Sequence, residues 1–401
     1  MSGSSDTPAW SVMLTQTERA AIAYTHQVFA NPTALSEFLA AAEKNSMPVV
    51  SGRPGRIPPA TTVKSLAYLD LSGMGSVLEY EVADQVVHAE VGMTVKSLND
   101  ILSENRQQLA VDVPDDWTLL DLINSGRGGT LTHAYGGVRD LVLGAMVALA
   151  DGTVIKCGGR VVKNVTGYDM CKLFVGSRGW LGVPTSAFFR LHALPETSRT
   201  ISWSFDSSAD AIKQAHSLIQ SGLSFARLEL LKHPQSNHTT LLSQAQGLPL
   251  VVDEICREAK ESSLHSNTSV ELRDQAERDQ WSSIRATFME VADDQLVQFN
   301  LPLTLMAQGL DALGKFGAMQ ATPARGQMCL RLHDAKSLSA VMDEINMIAK
   351  KFAVKVVCAS ADQTFNYQVM SLPKDPVGSS LKQRLKQRFD RSAILNPFVS
   401  L

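Results

Sequence analysis

The sequence predicts an α+β protein of two domains. At 401 residues the chain exceeds the usual size of one domain, and its 44% hydrophobic residues can fill more than one core. Before Pro195 a capped helix is followed by short strands, whereas after Pro195 two β-α-β units are visible. We therefore expect a mixed helix-and-strand domain first and a ferredoxin-like layer of helices on a sheet second.

Charge and cysteine content exclude several classes of protein. The net charge of −3, with acidic and basic residues interspersed, lacks the basic surface of a nucleic-acid-binding protein. The five cysteines are far apart and form no C-x-x-C pair, which indicates neither a disulfide framework nor a zinc or iron–sulfur site. The polar start Met1–Asp6 is not a signal peptide, and the longest apolar run, Leu141–Ala150, is about half a membrane span. We expect a soluble, cytoplasmic protein.

The first domain begins with a helix and a strand that leads into a loop. Asn31 can cap a helix that has Pro32 at its first position, and Met47–Val50 is a short strand that runs into the glycine- and proline-rich loop Ser51–Arg56. Further strands are predicted at Tyr68–Leu71, Val77–Tyr80 and Gln85–Val91, and a helix capped by Thr94 at Val95–Ser103.

The second domain carries the two β-α-β units. The first is predicted at Ile201–Phe205, Ala209–Ser221 and Ala226–Leu231, and the second at Gly326–Leu332, Leu338–Phe352 and Val354–Ala359. The polar stretch Leu231–Ser269 is expected to hold the longest loops. We predict a disordered leader at 1–29, a first domain at 30–195, a second domain at 196–375 and a C-terminal helix and tail at 376–401.

The most specific signal is a glycine pattern near the end of the first domain. Residues 176–183 read G-S-R-G-W-L-G-V, and K-N-V-T-G-Y-D precedes them at 163–169. Glycines at 176, 179 and 182 let backbone amides approach a bound group without a Cβ in the way, and successive amides can hold an anion. G-S-x-G alone would equally suit a turn between two core strands, and the second motif at this distance favours a binding site.

These motifs resemble those of the FAD-linked oxidases, a family that includes D-lactate dehydrogenase and the D and E subunits of glycolate oxidase. Three further elements follow in family order: the loop at 51–56, Y-G-G-V-R-D-L-V-L-G at 135–144 and the turn D-G-T at 151–153. The tail F-D-R-S-A-I-L-N-P at 389–397 resembles the family ending. The resemblance covers about residues 30–397 and points to the E-type subunit.

The resemblance implies a fold, a cofactor and a set of site residues. It implies a two-lobed PCMH-type FAD-binding domain, a ferredoxin-like cap domain and a C-terminal tail that returns to the FAD domain. The implied cofactor is FAD, and no catalytic or metal-binding residue is assigned. The FAD-binding residues are predicted to be Ser51, Gly52, Arg53, Pro54, Gly55, Arg56, Thr118, Tyr135, Gly136, Arg139, Asp140, Lys163, Asn164, Gly167, Tyr168, Gly176, Ser177, Gly179, Gly182 and Val183.

Some of these residues also have a purely structural interpretation. Arg139 and Asp140, adjacent opposite charges at a predicted strand start, could form a surface pair. Tyr168 is interpreted as a residue that packs the loop, since a phenol titrates far above neutrality. His88 and His192 lie in apolar strand-like runs and are interpreted as core or interface histidines.

The chain departs from the family pattern at several positions. The family's T-x-G-G is replaced by T-L-L-D at 118–121, so two glycines become Leu120 and Asp121. Trp180 replaces a threonine, Pro184 has no amide to donate, and Arg391 replaces a proline. We expect these departures to weaken FAD binding. Asp121 is interpreted as a helix cap or as an acid of a helix's first turn that points to solvent.

The resemblance implies a role inside a complex. The chain lacks both the metal-binding H-x-G-D-G-N-x-H string of hydroxy-acid-oxidising members and the cysteine repeats of the iron–sulfur subunit. The function implied is that of an FAD-binding flavoprotein subunit of a hetero-oligomeric glycolate oxidase, which assists electron transfer or assembly. Its partners would be a D-type flavin subunit and an F-type iron–sulfur subunit, and it could lie at the membrane periphery through that complex. Two alternatives stay open: a scaffold that no longer binds FAD, and a stand-alone oxidase of a sugar or alcohol.

Overall fold

The structure is a computed structural model, and it describes residues 23–52, 65–160, 169–234, 236, 238–262, 268–289, 296–334, 338–352, 358–360 and 376–397. The strands are β1 Ala23–Val28, β2 Val49–Ser51, β3 Ser65–Asp70, β4 Val77–Glu81, β5 Val86–Glu90, β6 Gln107–Gln108, β7 Val142–Ala148, β8 Val154–Gly158, β9 Val183–Arg190, β10 His192–Ala193, β11 Thr197–Phe205, β12 Arg227–Lys232, β13 Thr239–Gly247, β14 Thr268–Leu272, β15 Leu296–Asn300, β16 Gly317–Thr322, β17 Gln327–Leu332 and β18 Cys358–Ser360. The helices are α1 Pro32–Lys44, α2 Val95–Ser103, α3 Leu119–Ser125, α4 Thr132–Tyr135, α5 Val138–Leu141, α6 Cys171–Phe174, α7 Ser208–Gln220, α8 Pro249–Glu261, α9 Asp274–Phe288, α10 Leu303–Leu313, α11 Leu338–Lys351 and α12 Pro376–Phe389, with 3-10 turns at Gly314–Phe316 and Pro323–Arg325.

The first domain has two lobes, as the resemblance implied. One contains a parallel sheet in the order β1-β3-β2, and the other an antiparallel sheet in the order β4-β5-β9-β7-β8. Both predicted helix starts are confirmed, because Asn31 accepts from the amide of Ala34 and Thr94 from that of Ser97. Strand β1 pairs with β3, so regular structure begins before residue 30 and the predicted disordered leader extends too far.

The second domain is built on one sheet of eight strands in the order β14-β11-β13-β12-β16-β17-β15-β18. Its first half, β11 to β14, pairs its four strands in the order 4-1-3-2 of a ferredoxin-like unit, and β15 to β18 repeat that order. The two halves join where β12 pairs with β16. The ferredoxin-like layer predicted from two β-α-β units is therefore present twice.

The expectation of long loops between Leu231 and Ser269 is wrong. That stretch contains strand β13 and helix α8, and β13 pairs on both sides with β11 and β12. Its polar residues Ser243 and Gln244 are buried within the sheet. Its composition resembles a loop because buried polar residues such as Ser243 and Gln244 interrupt the apolar pattern of β13.

Helices cover unequally the two faces of the eight-stranded sheet of the second domain, which we call the cap sheet. Helices α7, α8, α10 and α11 bury apolar residues such as Leu218, Ile255 and Leu310 in one core on the outer face. On the opposite face, α9 packs Trp281 and Phe288 in a smaller cluster. Helix α9 therefore lies on the face that turns toward the first domain. The proposed boundary at residue 195 remains a prediction.

The C-terminal tail returns to the first domain. After α12, Ile394 and Leu395 join the first domain's core, and Leu395 forms a parallel bridge with Val49. The ring of Phe389 meets Phe174 edge-on at 5.8 Å. Leu395 and Asn396 thus lie beside β2, at the start of the predicted first pyrophosphate loop.

Candidate functional site

Four distant segments meet at a junction formed by Ser51, Asn124, Arg178 and Asn396. The amide of Ser51 donates to Asn396 Oδ1 at 3.0 Å, and Asn124 Nδ2 donates to the carbonyl of Ser51 at 3.3 Å. Arg178 N donates to the Asn124 carbonyl at 2.9 Å, and Asn396 Nδ2 donates to the Arg178 carbonyl. The junction therefore fixes the end of β2, helix α3, the glycine pattern and the tail relative to one another.

Two glycines of the predicted site are required by this packing. Gly52 and Gly179 have φ of +74° and +70°, which side-chain-bearing residues rarely adopt. A Cβ on Gly52 would lie 2.7 Å from Asn124 Nδ2, and one on Gly179 would lie 2.6 Å from Ser51 Oγ. A side chain at either position would therefore push the junction apart.

Beside these glycines, polar atoms are buried without a partner. Ser51 Oγ, Asn124 Oδ1 and Ser177 Oγ have no hydrogen-bond partner among the described residues. Leaving such a group unsatisfied costs about 1–3 kcal/mol, so sites of this kind favour a ligand that completes the bonds. Hydroxyls and bare glycine backbone suit a phosphate group, and Gly176, with φ of +80°, leaves the approach open. The junction therefore fits a diphosphate.

Thr118 and Asp121 form a capping box at the start of α3. Thr118 Oγ1 accepts from the Asp121 amide at 3.1 Å, and Asp121 Oδ2 accepts from the Thr118 amide at 2.9 Å. Asp121 is buried, and a Cβ on Gly52 would lie 3.5 Å from its Oδ1. The interpretation of Asp121 as a capping or first-turn acid is thus confirmed, whereas the expectation that it points to solvent is wrong. Leu120 is buried in the core, so apolar packing has replaced the family glycine there.

Gly182, Val183 and Pro184 fit strand β9 to the core. The Val183 side chain is fully buried among apolar residues, and a Cβ on Gly182 would lie 2.6 Å from Val147 Cγ1. Pro184 lies opposite Val147 where the pairing of β7 and β9 shifts register, a place that tolerates a missing amide. The Val183 side chain and the Cβ position of Gly182 therefore face the core, and the binding of FAD by the backbone of these two residues stays a prediction.

Trp180 contacts the tail. Its carbonyl accepts from Lys386 Nζ at 2.7 Å, and its ring lies 4.9 Å from the same ammonium group. Burial lowers the pKa of Lys386, which Asp390 partners at 2.6 Å. The Trp180 ring thus adds to α12 a cation–π contact that a threonine could not make.

The segment around Tyr135 lies at the contact with the second domain. Tyr135 donates to Gln246 Oε1 at 3.3 Å, and its ring lies 4.8 Å from that of His192. Arg139 and Asp140 are exposed in helix α5, which corrects the predicted strand start, and Asp140 accepts from the Gly137 amide at 2.8 Å. A Cβ on Gly136 would lie 2.9 Å from Asp140 Oδ2.

The remaining predicted residues have two outcomes. His88 stacks on Phe188 at 3.9 Å and hydrogen-bonds Ser186, in agreement with a packing role. Eight predicted site residues lie outside the described residues: Arg53, Pro54, Gly55, Arg56, Lys163, Asn164, Gly167 and Tyr168.

A cleft of about 210 Å³ separates the glycine-rich segment 125–130 from the cap sheet and helix α9. Arginines bridge it from both sides: Arg127 donates to the Phe288 carbonyl, and Arg325 donates to the Thr132 carbonyl at 3.0 Å. The lining residues are Asp112, Ser125, Gly126, Arg127, Gly128, Gly129, Thr130, Thr132, Gly137, Ile284, Arg285, Phe288, Met289, Gln298, Gln320, Thr322, Arg325, Gln327, Met328 and Cys329.

Two family models match the chain, one on each domain. The model described as "FAD binding domain" matches residues 28–158, and that described as "FAD linked oxidases, C-terminal domain" matches residues 194–295. The chain belongs to the FAD-linked oxidases. This FAD-linked oxidase thus carries both halves of the family architecture, and its cofactor is FAD.

Relatives of this FAD-linked oxidase include glycolate oxidase subunits. The chain is 32% identical over 136 residues to glycolate oxidase subunit GlcE of Escherichia coli, covering 33% of this chain and 39% of that protein. It is 36% identical over 164 residues to a probable mitochondrial D-lactate dehydrogenase of Danio rerio, covering 40% of this chain and 33% of that protein. The match thus spans about a third of the first curated relatives. An uncharacterized FAD-linked oxidoreductase of Mycobacterium tuberculosis matches 92% of this chain and 89% of its own length at 23% identity.

Solved structures share the fold. The structure of p-cresol methylhydroxylase with substrate bound superposes with a TM-score of 0.69 at 15% identity, covering 96% of this chain and 91% of that one. Alkyldihydroxyacetonephosphate synthase reaches a TM-score of 0.68 at 14% identity, covering 92% of this chain and 76% of that one. The two-domain fold is therefore that of structurally characterised relatives.

Behind the cleft of this FAD-linked oxidase lies a buried charged layer that the sequence did not reveal. Glu229 accepts from Thr322 Oγ1 at 2.9 Å and from Gln320 Nε2 at 3.2 Å, and burial raises its pKa to about 8. Arg227 lies 4.6 Å from the Trp281 ring centroid, and burial lowers the pKa of its guanidinium. Strand alternation was the available signal, because Arg227 and Glu229 interrupt the apolar run of β12 with period two.

Among the residues that the structure describes, no group of three or more histidine, cysteine, aspartate or glutamate side chains is arranged to hold a metal ion. Nor does any described helix combine the length and apolar character needed to cross a bilayer.

Proposed function

We propose that this chain is the FAD-binding subunit of a glycolate or related 2-hydroxy-acid oxidase complex, in which it assists electron transfer or assembly. The observation that carries the proposal is the set of unpartnered polar atoms beside Gly179, which a FAD diphosphate would complete. The likeness to E. coli GlcE supports the subunit role. The likeness of a 112-residue segment, at 39% identity, to glycolate oxidase subunit GlcD of Bacillus subtilis supports the same substrate class.

Residues of the junction and residues of the cleft would have different roles. Ser51, Ser177 and the backbone around Gly179 would hold the diphosphate, and the tail residue Asn396 would keep those segments together. The arginines that bridge the cleft would exclude water from its interior and place positive charge there. Bound FAD supplies the electron-accepting ring.

The cleft suits electron transfer better than independent oxidation of a hydroxy acid. Among its described lining residues there is no histidine, and Asp112 is held by Thr130 Oγ1 at 2.6 Å and Arg285 Nη1 at 3.4 Å. A hydroxyl proton therefore lacks a group placed to remove it as a general base. We propose that a D-type flavin subunit performs that step and that an F-type iron–sulfur subunit receives the electrons.

The proposal is tested on the purified full-length chain and on its co-expressed complex. The visible absorption spectrum should show bound FAD, and glycolate or D-lactate should not reduce a dye in the chain's presence. Co-expression with D-type and F-type subunits should yield a complex that oxidises glycolate. Rapid dye reduction by the isolated chain, surviving treatment with a metal chelator, would instead favour a stand-alone oxidase.

A second candidate is a scaffold that assists assembly without binding FAD. The buried carboxylate of Asp121 beside Gly52 favours it, because a negative charge there opposes a phosphate. Titration with FAD separates the two candidates. Absence of any absorbance or fluorescence change, together with intact complex formation, would support the scaffold.

A further inference from the structure

Glu229 lies on the cap-sheet face that turns toward the cleft. On strand β12, Leu228 and Leu230 enter the core on the helix-covered face, so the alternate residues Arg227 and Glu229 point the other way. The Glu229 carboxyl is bonded by Thr322 Oγ1 and Gln320 Nε2, and both of these residues line the cleft. One layer of side chains therefore separates the carboxyl from the space between the domains.

The cleft itself is electropositive. Its lining contains Arg127, Arg285 and Arg325 against the single carboxylate of Asp112 among the described residues. Each guanidinium has five N–H donors, so an arginine of the cleft can exchange a bond within the protein for one to a ligand. Planar guanidinium groups favour carboxylates, which they can bind with two parallel bonds. The charge of the cleft thus favours a small organic anion.

We propose that the cleft takes up a small organic anion together with a proton, and that the Glu229 carboxyl holds this proton. The inference rests on the proposed function, because the same cleft faces the flavin site. In the uptake step the anion remains a carboxylate on the arginine side. Ionised Glu229 takes one proton from solvent and becomes a carboxylic acid, so no net charge is added to the cleft.

Electrostatics gives the direction of this coupling. Burial raises the pKa of Glu229 to about 8, while Arg227 favours its ionised form and Asp112 its protonated form. A second anion nearby raises that pKa further. With a starting pKa of about 8, roughly a quarter of Glu229 is protonated at pH 8.5, so uptake of up to about 0.7 proton is expected there, against about 0.1 at pH 7.

The other titratable groups around Glu229 do not account for such a signal. Burial raises the pKa of Cys329 to about 11, above this range. Burial lowers the pKa of His133, beside Arg325, so this histidine already lacks its proton at pH 8.5. Arg227, Asp112 and Glu277 face one another as a charged set on the same side of the sheet. Proton uptake between pH 7 and 9 is therefore a signature of Glu229.

The experiment is calorimetric titration of the full-length chain with oxalate, a carboxylate probe that a flavin enzyme of this class does not oxidise. Titrations at pH 7.0 and pH 8.5, each in two buffers that differ in ionisation enthalpy, give the number of protons taken up. Glu229→Gln keeps a similar side-chain shape without the titrating group, and Glu254→Gln is the control on the exposed face of α8. The FAD content of each preparation is read from its visible spectrum.

We expect wild type and Glu254→Gln to bind oxalate with proton uptake that increases from pH 7.0 to 8.5. Glu229→Gln should bind oxalate with no uptake and with an affinity that changes less than about threefold between these pH values. Absence of oxalate binding, absence of uptake in wild type, or undiminished uptake in Glu229→Gln would each overturn the inference. Calorimetry detects oxalate binding and proton uptake whether or not the preparation contains FAD. Failure to bind FAD is therefore a separate result, and it concerns the proposed function.

Discussion

The junction at Ser51 and the cleft at Arg127 adjoin each other at residues 124–125 but are built differently. The junction is made of glycines, backbone groups and short polar side chains at motif positions, such as Gly179 and Asn396. The cleft is made of long charged and amide side chains from strands and helices far apart in sequence, such as Arg285 and Gln320. A site that binds a ligand through its backbone requires particular residue types, such as glycine, at fixed spacing in the sequence. A site that binds through side chains can use residues from any strand or helix whose side chains point toward it.

The sharpest way to break the junction is to place a side chain at Gly179. Gly179→Val requires a branched residue at φ of +70° and puts its Cβ 2.6 Å from Ser51 Oγ and 2.7 Å from Asn396 Nδ2. We expect FAD affinity to fall by more than about a hundredfold, measured by fluorescence titration. Gly222→Val is the matched control, because Gly222 has a similar φ of +76° but open space around its Cβ position. Equal loss in both variants would mean that backbone strain, rather than the junction, controls binding.

The raised pKa of Glu229, behind the cleft, is tested through the pH dependence of the free energy of unfolding. The pKa of Glu229 is raised from 4.5 to about 8 in the folded protein, so between these values the unfolded chain releases a proton that the folded chain keeps. The contribution of Glu229 is therefore complete below pH 4.5 and is lost as pH rises to about 8, by roughly 3–5 kcal/mol in all. Urea unfolding at pH 5 and pH 8 should show that Glu229→Gln loses less stability than wild type over this interval. Parallel curves for the two proteins would contradict it.

The tail's contribution to the junction is tested at Asn396. Asn396→Ala removes the acceptor of the Ser51 amide and the donor to the Arg178 carbonyl, and it leaves alanine at a φ of 39°. We expect a loss of about 2–3 kcal/mol in unfolding free energy and about tenfold weaker FAD binding. Asn45→Ala removes an exposed helix-end bond to Ala41 and should change both quantities little. A destabilised protein with unchanged FAD affinity would separate the tail from the site.

The sequence predicted local features, such as those of the junction, better than contacts between distant residues, such as those of the cleft. The helix starts at Asn31 and Thr94 and the glycine motif depend on local chemistry, so the sequence alone predicts them. The repeated ferredoxin-like unit was missed because buried polar residues of β13, such as Ser243 and Gln244, hide its strand pattern, and Gln244 bonds Glu277 of α9 within the same domain. Glu229 and Arg227 were missed because only the pairing of β12 with β16 and the position of α9 bring them behind the cleft.

The smallest expected effect concerns the residue that departs most clearly from the family pattern. Asp121 holds the capping box of α3 through Thr118 and lies beside Gly52, so its replacement affects both the helix and the predicted phosphate loop. Replacing it by glycine, together with Leu120, would also remove a buried leucine, at about 2–5 kcal/mol, and obscure any gain in affinity. Asp121→Asn instead keeps an oxygen that can accept from the Thr118 amide while removing the charge. We expect a stability change within about 1 kcal/mol and FAD binding tighter by at least about threefold to tenfold, because two like charges about 4 Å apart repel by about 1 kcal/mol even in water-like surroundings. Titration at two salt concentrations checks the cause, since a gain due to charge must shrink as ionic strength increases. Weaker binding by Asp121→Asn would show that the carboxylate, by holding α3 in place, contributes more to the site than its charge costs.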